Sequence, residues 1–334
     1  MNLTKNTRRA AAAALTVPIM LFAAACGSDD GKAASSGEPV AKVTGKAGAQ
    51  PKITAPKNAK VADAVVTKSL VTGKGAAVKK GDVVRLDVVA QTLKGQRLDN
   101  TWEPVPGQKT VGSAHRQVVA EVTDQLTQPT MPPKVLNALA GKKVGSRVEV
   151  EASAKAAYGA DIAQRIGLQP DEGLVWVVDV AAATKVDKKA AAEGKQAASE
   201  SGMPEVKAEA GKAATITVPK GEKAPTKLGE QVLIKGKGPE VKAGQGLIAQ
   251  YTGVKWRDGK KFDSSWDHGG ATAFQIGTGS VVQGWDKGLV GKHVGDRVVL
   301  SIPADLAYGD TPPQNSGLAK GDALIFTVDI LGTA

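Results

Sequence analysis

Apolar and polar positions alternate most cleanly toward the end of the chain. Leu324, Phe326, Val328 and Ile330 recur at every second residue, as do Val298, Leu300 and Ile302, and Leu247, Ala249 and Tyr251. Side chains of a strand point alternately to opposite faces, so this spacing predicts strands over 323–331, 297–302 and about 247–251. Val282, Trp285 and Leu289 follow a different rule, at i, i+3 and i+7, and predict a short helix between Gly284 and Gly291. Mostly strands with one short helix implies an α+β domain, an antiparallel sheet packed around that helix.

The same landmarks occur twice. Gly73-Lys74-Gly75 with Val78-Lys79 recurs as Gly236-Lys237-Gly238 with Val241-Lys242, and Leu98-Asp99-Asn100-Thr101-Trp102 as Phe262-Asp263-Ser264-Ser265-Trp266. Gly141-Lys142, Val144-Gly145 and Arg147-Val148 recur as Gly291-Lys292, Val294-Gly295 and Arg297-Val298. Ala157-Tyr158-Gly159 and Val178-Asp179 recur as Ala307-Tyr308-Gly309 and Val328-Asp329. The chain is therefore a tandem repeat. Its offset falls from 164 at Trp102 to 150 at Gly141, so the first copy carries 14 extra residues between those points.

Outside the copies the patterning lapses. Lys5, Arg8 and Arg9 precede an apolar run over residues 10–25. The run is shorter than the roughly 20 residues a spanning helix needs, and it reads as an export signal over 1–25. Leu21-Phe22-Ala23-Ala24-Ala25-Cys26 resembles a bacterial lipobox, with Ala23 where such boxes usually carry leucine. That resemblance implies lipidation of Cys26 and a protein anchored on the extracytoplasmic face of the cell membrane. The alternative is ordinary cleavage after Ala25 and a secreted product. Arg8-Arg9 leaves general and twin-arginine export both open. Residues 26–50 hold almost no large apolar side chain and predict a flexible tether. The Lys-, Ala- and Glu-rich residues 185–203 predict a partly helical, semi-rigid linker. The expected domains are therefore 51–184 and 204–334.

Composition narrows the chemistry. The 334 residues carry a formal net charge of +11, yet the lysines are dispersed through Ala- and Gly-rich stretches. A nucleic-acid binder gathers them on one face among aromatics, so the reading here is a solvated surface with no nucleic-acid partner. One cysteine excludes an internal disulfide, a zinc-thiolate site or an iron–sulfur cluster, and three scattered histidines suggest no metal centre. No nucleophile elbow, phosphate loop or dinucleotide fingerprint occurs, and no cofactor is expected. Asp267-His268 reads as a solvated turn. Eight aromatics fall between Tyr251 and Phe326, with Asp263 and Tyr308 near turn glycines. Such a set suits an apolar ligand held by one or two hydrogen bonds.

Tyr251-Thr252-Gly253, Gly259-Lys260-Lys261-Phe262-Asp263-Ser264-Ser265, Val281-Val282-Gln283-Gly284-Trp285, Val294-Gly295-Asp296-Arg297 and Ala307-Tyr308-Gly309 resemble the FKBP family of peptidyl-prolyl cis–trans isomerases. The resemblance runs in the family's order over about 235–331. It implies two FKBP-like domains and Trp285 as a pocket floor walled by Tyr251, Phe262 and Phe326. Val281 and Val282 would line the pocket, the Val282 amide and Tyr308 hydroxyl would meet the peptide, and Asp263 would be the polar group beside it. Proline-containing polypeptides, and FKBP-type macrolides, are the implied ligands. Two departures stand out: Thr272 occupies a place where the family commonly has a pocket phenylalanine, and the 310–320 loop lacks a bulky apolar pair, with Leu318 as the stand-in. Phe274 reads as core.

Aligned on Ala90-Gln91 with Ala249-Gln250, the first copy has Thr92 for Tyr251, Leu98 for Phe262 and Val135 for Trp285, while Tyr158 and Trp176 persist. It keeps the scaffold and loses most of the pocket. The implied function is an envelope-anchored prolyl isomerase, with catalysis in the second copy. The alternative is a non-catalytic chaperone or scaffold that grips unfolded chains.

Overall fold

The computed structural model describes residues 37–104, 114–126, 131–209 and 211–334, and both copies lie in one compact unit, Lys32–Ala334. Cys26 and the export segment lie outside the described residues. The first copy contains strands β1 (Lys42–Thr44), β2 (Lys52–Thr54), β3 (Val66–Val71), β4 (Val83–Thr92), β5 (Arg97–Asn100) and β6 (Val118–Glu121). Helix α1 (Pro133–Asn137), β7 (Arg147–Ser153), α2 (Ala154–Tyr158), α3 (Ala160–Arg165) and β8 (Gly173–Thr184) complete it. The second contains β9 (Glu205–Lys207), β10 (Thr215–Thr217), β11 (Gly229–Ile234), β12 (Gly246–Lys255), β13 (Lys261–Ser264), β14 (Thr272–Gln275), α4 (Gln283–Leu289), β15 (Arg297–Ile302) and β16 (Leu324–Thr333).

Each copy forms a six-stranded antiparallel sheet of the same topology. The orders are β3-β7-β8-β4-β5 and β11-β15-β16-β12-β13, with β6 and β14 sharing the outer edges of β4 and β12. The periodic positions of the second copy do what their spacing predicts. Val298, Leu300, Ile302, Leu324, Phe326, Val328 and Ile330 join Trp285 and Leu289 of α4 in one core. Gly284 and Gly288 let the helix lie close, because a β-carbon there would stand 2.5 Å from Ile302 and 2.7 Å from Leu300.

The opposite sheet face is also covered. Every residue of β12 and β15 is buried. Val206 of β9 and Ile216 of β10 pack there with Leu233, Val254, Trp256, Val299 and Ile325. Residues 188–200 form no helix; they run irregularly, with a turn at 188–189, and belong to this layer. The Ala197 amide donates to Leu233 O, the Ala192 amide to Asp329, and Arg297 holds Gln196 while pairing with Asp329 at 2.6 and 2.7 Å.

The first copy has the same outer strap. Residues 38–50, expected to be tether, run into the β1–β2 hairpin. The Val40 and Ala41 amides donate to Glu151, the Gly48 amide donates to Asp179, and Arg147 donates to Gly45 O and Ala49 O. Low apolar content predicts disorder when side chains must supply the burial. Here the backbone supplies the contacts, to charged groups buried on the sheet. The copies meet through Val83, Val119, Ile248, Ala271 and Ala334, and through Gln275, which accepts from the Gln117 amide at 2.7 Å.

Candidate functional site

Tyr251, Phe262, Asp263, Phe274, Ser280, Val281, Val282, Trp285, Tyr308 and Phe326 line a cavity of about 180 Å³. All eight residues expected at the site are among them. β12 supplies Tyr251, β13 supplies Phe262 and Asp263, and β16 supplies Phe326. Val281 and Val282 lead directly into α4, which carries Trp285, and Tyr308 follows a short 3-10 turn at Ala304–Leu306.

Trp285 is 4% exposed and sits at the centre of an edge-to-face cluster. Its ring lies 5.4 Å from Tyr251, 5.4 Å from Phe274 and 5.3 Å from Phe326, at interplanar angles of 82°, 80° and 84°. Phe262 meets Phe326 at 5.5 Å and 85°. Edge-to-face packing sets the positive rim of one ring against the negative face of the next, which fixes the wall geometry. Gly253 makes it possible, since a β-carbon there would lie 2.8 Å from both Phe262 and Phe326. Trp285 Nε1 is buried without a hydrogen-bond partner among the described residues.

Among the described residues, Asp263 is the one charged residue lining the cavity. The Tyr251 hydroxyl donates to its Oδ2 at 2.7 Å, and the Ser264 amide donates to Oδ1 at 2.8 Å. His268 Nε2 also lies 2.8 Å from Oδ1. Burial foremost, and then the Asp263 carboxylate, hold the Tyr251 phenol well above its ordinary range, and the same two causes raise Tyr308. Both phenols therefore remain protonated donors at neutral pH. The arrangement is a largely aromatic and apolar seat whose lining also offers Asp263, Ser280 and the Tyr251 and Tyr308 phenols. It can bind a compact apolar group and hydrogen-bond an adjoining carbonyl.

Phe274 corrects the expectation that it is only core. It lines the cavity while packing on Tyr251 at 5.9 Å, and it supplies an aromatic wall that Thr272 does not. The two are on the same face of β14, two residues apart, and only Phe274 reaches the cavity. Leu318 packs on the surrounding core but does not line the cavity. Ser280 and the partnership of His268 with Asp263 were not anticipated. For His268 the available signal was its place five residues after Asp263, across a turn ending in two glycines.

The first copy carries different residues at the corresponding positions. Strand register corrects the alignment: Tyr251 pairs with Val328 and Val88 with Val178, so Val88, not Thr92, stands in the place of Tyr251. Ladder positions likewise put Ala120 in the place of Phe274 and Trp176 in that of Phe326. Val135 replaces Trp285, and Val135, Met131 and Trp176 are all fully buried. The large indole of this copy therefore stands at the neighbouring wall position, and a valine at the floor.

Residues 238–331 match the family described as FKBP-type peptidyl-prolyl cis-trans isomerase. The FK506-binding protein of Streptomyces anulatus is 41% identical over 116 residues, covering 35% of this chain and 93% of that protein. The probable FK506-binding protein of Corynebacterium glutamicum is 37% identical over 109 residues, covering 32% of this chain and 88% of that protein.

Proposed function

We infer that this chain, which belongs to the FKBP-type peptidyl-prolyl cis–trans isomerase family, turns Xaa-Pro bonds of exported proteins at the outer face of the cell membrane. The isomerase domain is the second copy. The observation that carries the reading is the aromatic cavity around Trp285, with Asp263 and the Tyr251 and Tyr308 phenols in its lining. Proline is the compact, apolar group that such a seat fits.

The chemistry needs no nucleophile. Rotation about a peptide C–N bond costs ~18–20 kcal/mol because resonance is lost in the twisted state. At Xaa-Pro bonds both isomers are populated, yet exchange takes tens to hundreds of seconds. The planar imide is the more charge-separated form, so transfer into an apolar seat disfavours it relative to the twisted form. Walls shaped to the twisted geometry act in the same direction. A rate gain on the order of 10⁵ requires only ~7 kcal/mol, within reach of these two effects together. Tyr308 and the Val282 amide are assigned to hold the peptide on either side of the rotating bond.

The location rests on the leader and on Cys26 as the lipidated residue, so the partners are the membrane and unfolded exported chains. The names of the relatives record FK506 binding, and an FK506-type macrolide is the proposed competitor for the cavity. The test is a protease-coupled assay with the full chain and a proline tetrapeptide. Acceleration that FK506 suppresses supports the reading. Binding of unfolded chains without acceleration supports the chaperone alternative.

A further inference from the structure

The turn that sequence alone marks as solvated lies against Asp263, the carboxylate in the cavity lining. A 3-10 turn over Ser265–His268 folds the chain back after β13, and Ala271, just beyond it, is tied by its amide to Lys188 O. This brings His268 Nε2 to 2.8 Å from Asp263 Oδ1, while the other oxygen of Asp263 accepts from Tyr251. The other ionisable groups facing this corner are Lys261, Asp267, Lys189 and the two phenols. Lys261 is paired with Asp267 at 2.7 Å, Lys189 lies over the Trp266 ring at 6.0 Å, and Tyr251 and Tyr308 are neutral phenols. His268 is 61% exposed on its side chain, open to protons from solvent.

We propose that His268 is a specificity-determining residue, setting by its own charge whether Asp263 presents a net negative charge to the residue beside the substrate proline. The proposal rests on the isomerase reading of the cavity. An imidazole is the side chain whose charge changes between about pH 5 and 8. With His268 neutral, the cavity rim carries the charge of Asp263 uncompensated. With His268 protonated, the ion pair cancels it. With a proline seated in the cavity, the residue before it is assigned to this rim, where Asp263 belongs to the lining. A lysine there gains from the uncompensated carboxylate and a glutamate is repelled. Across a solvent-exposed gap the effect is about two- to fourfold for each sign of charge. It weakens as salt rises.

The experiment compares kcat/KM of the full chain for two peptides that differ only in lysine or glutamate before proline, at low salt. The ratio of lysine to glutamate peptide should rise roughly four- to sixteenfold between pH 5.5 and pH 8. Using the ratio cancels any change in folding or total active protein. His268→Gln should hold the high ratio at both pH values, and His268→Arg the low ratio at both. A pH-independent ratio in the unaltered chain overturns the proposal, as does a pH dependence that survives in His268→Gln. Isomerisation of both peptides with no shift in ratio removes this inference and leaves the isomerase reading standing. Absence of isomerisation with either peptide overturns both.

Discussion

Trp285→Val puts into the second copy the residue that the first copy carries as Val135. The indole makes edge-to-face contacts with Tyr251, Phe274 and Phe326. Three such pairs contribute about 0.5–1.5 kcal/mol each beyond burial. Deleting a fully packed aromatic costs about 3–5 kcal/mol, but valine keeps part of the volume and one side of the indole already borders the cavity. The expected loss of stability is therefore about 2–4 kcal/mol. Proline also loses the indole as its floor. Removing some 50–80 Å² of apolar contact lowers kcat/KM by about tenfold to thirtyfold. The decisive variant adds Phe326→Trp, matching Trp176 and so rebuilding the packing of the first copy. Denaturation midpoints and tetrapeptide kcat/KM should separate. The double variant should recover at least about 1 kcal/mol over the single one, a coupling typical of touching residues, and should recover no activity. Restored activity would refute the assignment of Trp285 as floor. A double variant no more stable than the single one would refute the idea that tryptophan at the wall offsets valine at the floor.

Tyr308→Phe removes one hydroxyl and almost no packing, so kcat/KM should fall by only a few-fold, equivalent to one hydrogen bond of ~0.5–1.5 kcal/mol, with the denaturation midpoint unchanged. Glu149 is 2% exposed under the first-copy strap, and burial, then the neighbouring Glu151, push its carboxyl up to about 7. A folded value above the unfolded one means the folded state holds the proton more tightly, so stability falls as pH rises from about 4.5 to 7 and stays lower above it. Glu149→Gln should flatten that slope and raise the midpoint at pH 8, by about 1–3 kcal/mol, while leaving pH 4 stability nearly unchanged; urea melts at pH 4, 6 and 8 check this. Cys26→Ser should move the protein from the membrane fraction to the medium, as followed by fractionation and by mass spectrometry of the N-terminal peptide.

The parts legible in sequence share a physical basis. β15, β16 and α4 show their periodicity because one face of each meets a single apolar core. The cavity residues were legible because they stand in a fixed order around turn glycines. The straps were not, because Arg147, Glu151 and Asp179 bind their backbone and leave no side-chain pattern. A weaker signal was present: Val43, Gly48, Ile53 and Pro56 recur as Val206, Gly211, Ile216 and Pro219 at a constant offset of 163. The Thr92 assignment failed because a shared Ala-Gln pair was matched without regard to pairing register, whereas only the ladder fixes which residues share a position. Phe274 shows a further limit, since a ring that is both core and wall has one sequence signature for two roles.

The central claim, that the second-copy cavity rotates Xaa-Pro bonds, is tested most directly by magnetisation exchange between the cis and trans signals of a short proline peptide. The full chain would be present at a few per cent of the peptide concentration. Free peptide exchanges over tens to hundreds of seconds, too slowly to register within a sub-second mixing time. The account predicts exchange cross-peaks that grow with protein concentration and vanish when FK506 fills the cavity. Peptide signals that broaden on binding while cis and trans remain unconnected would contradict it.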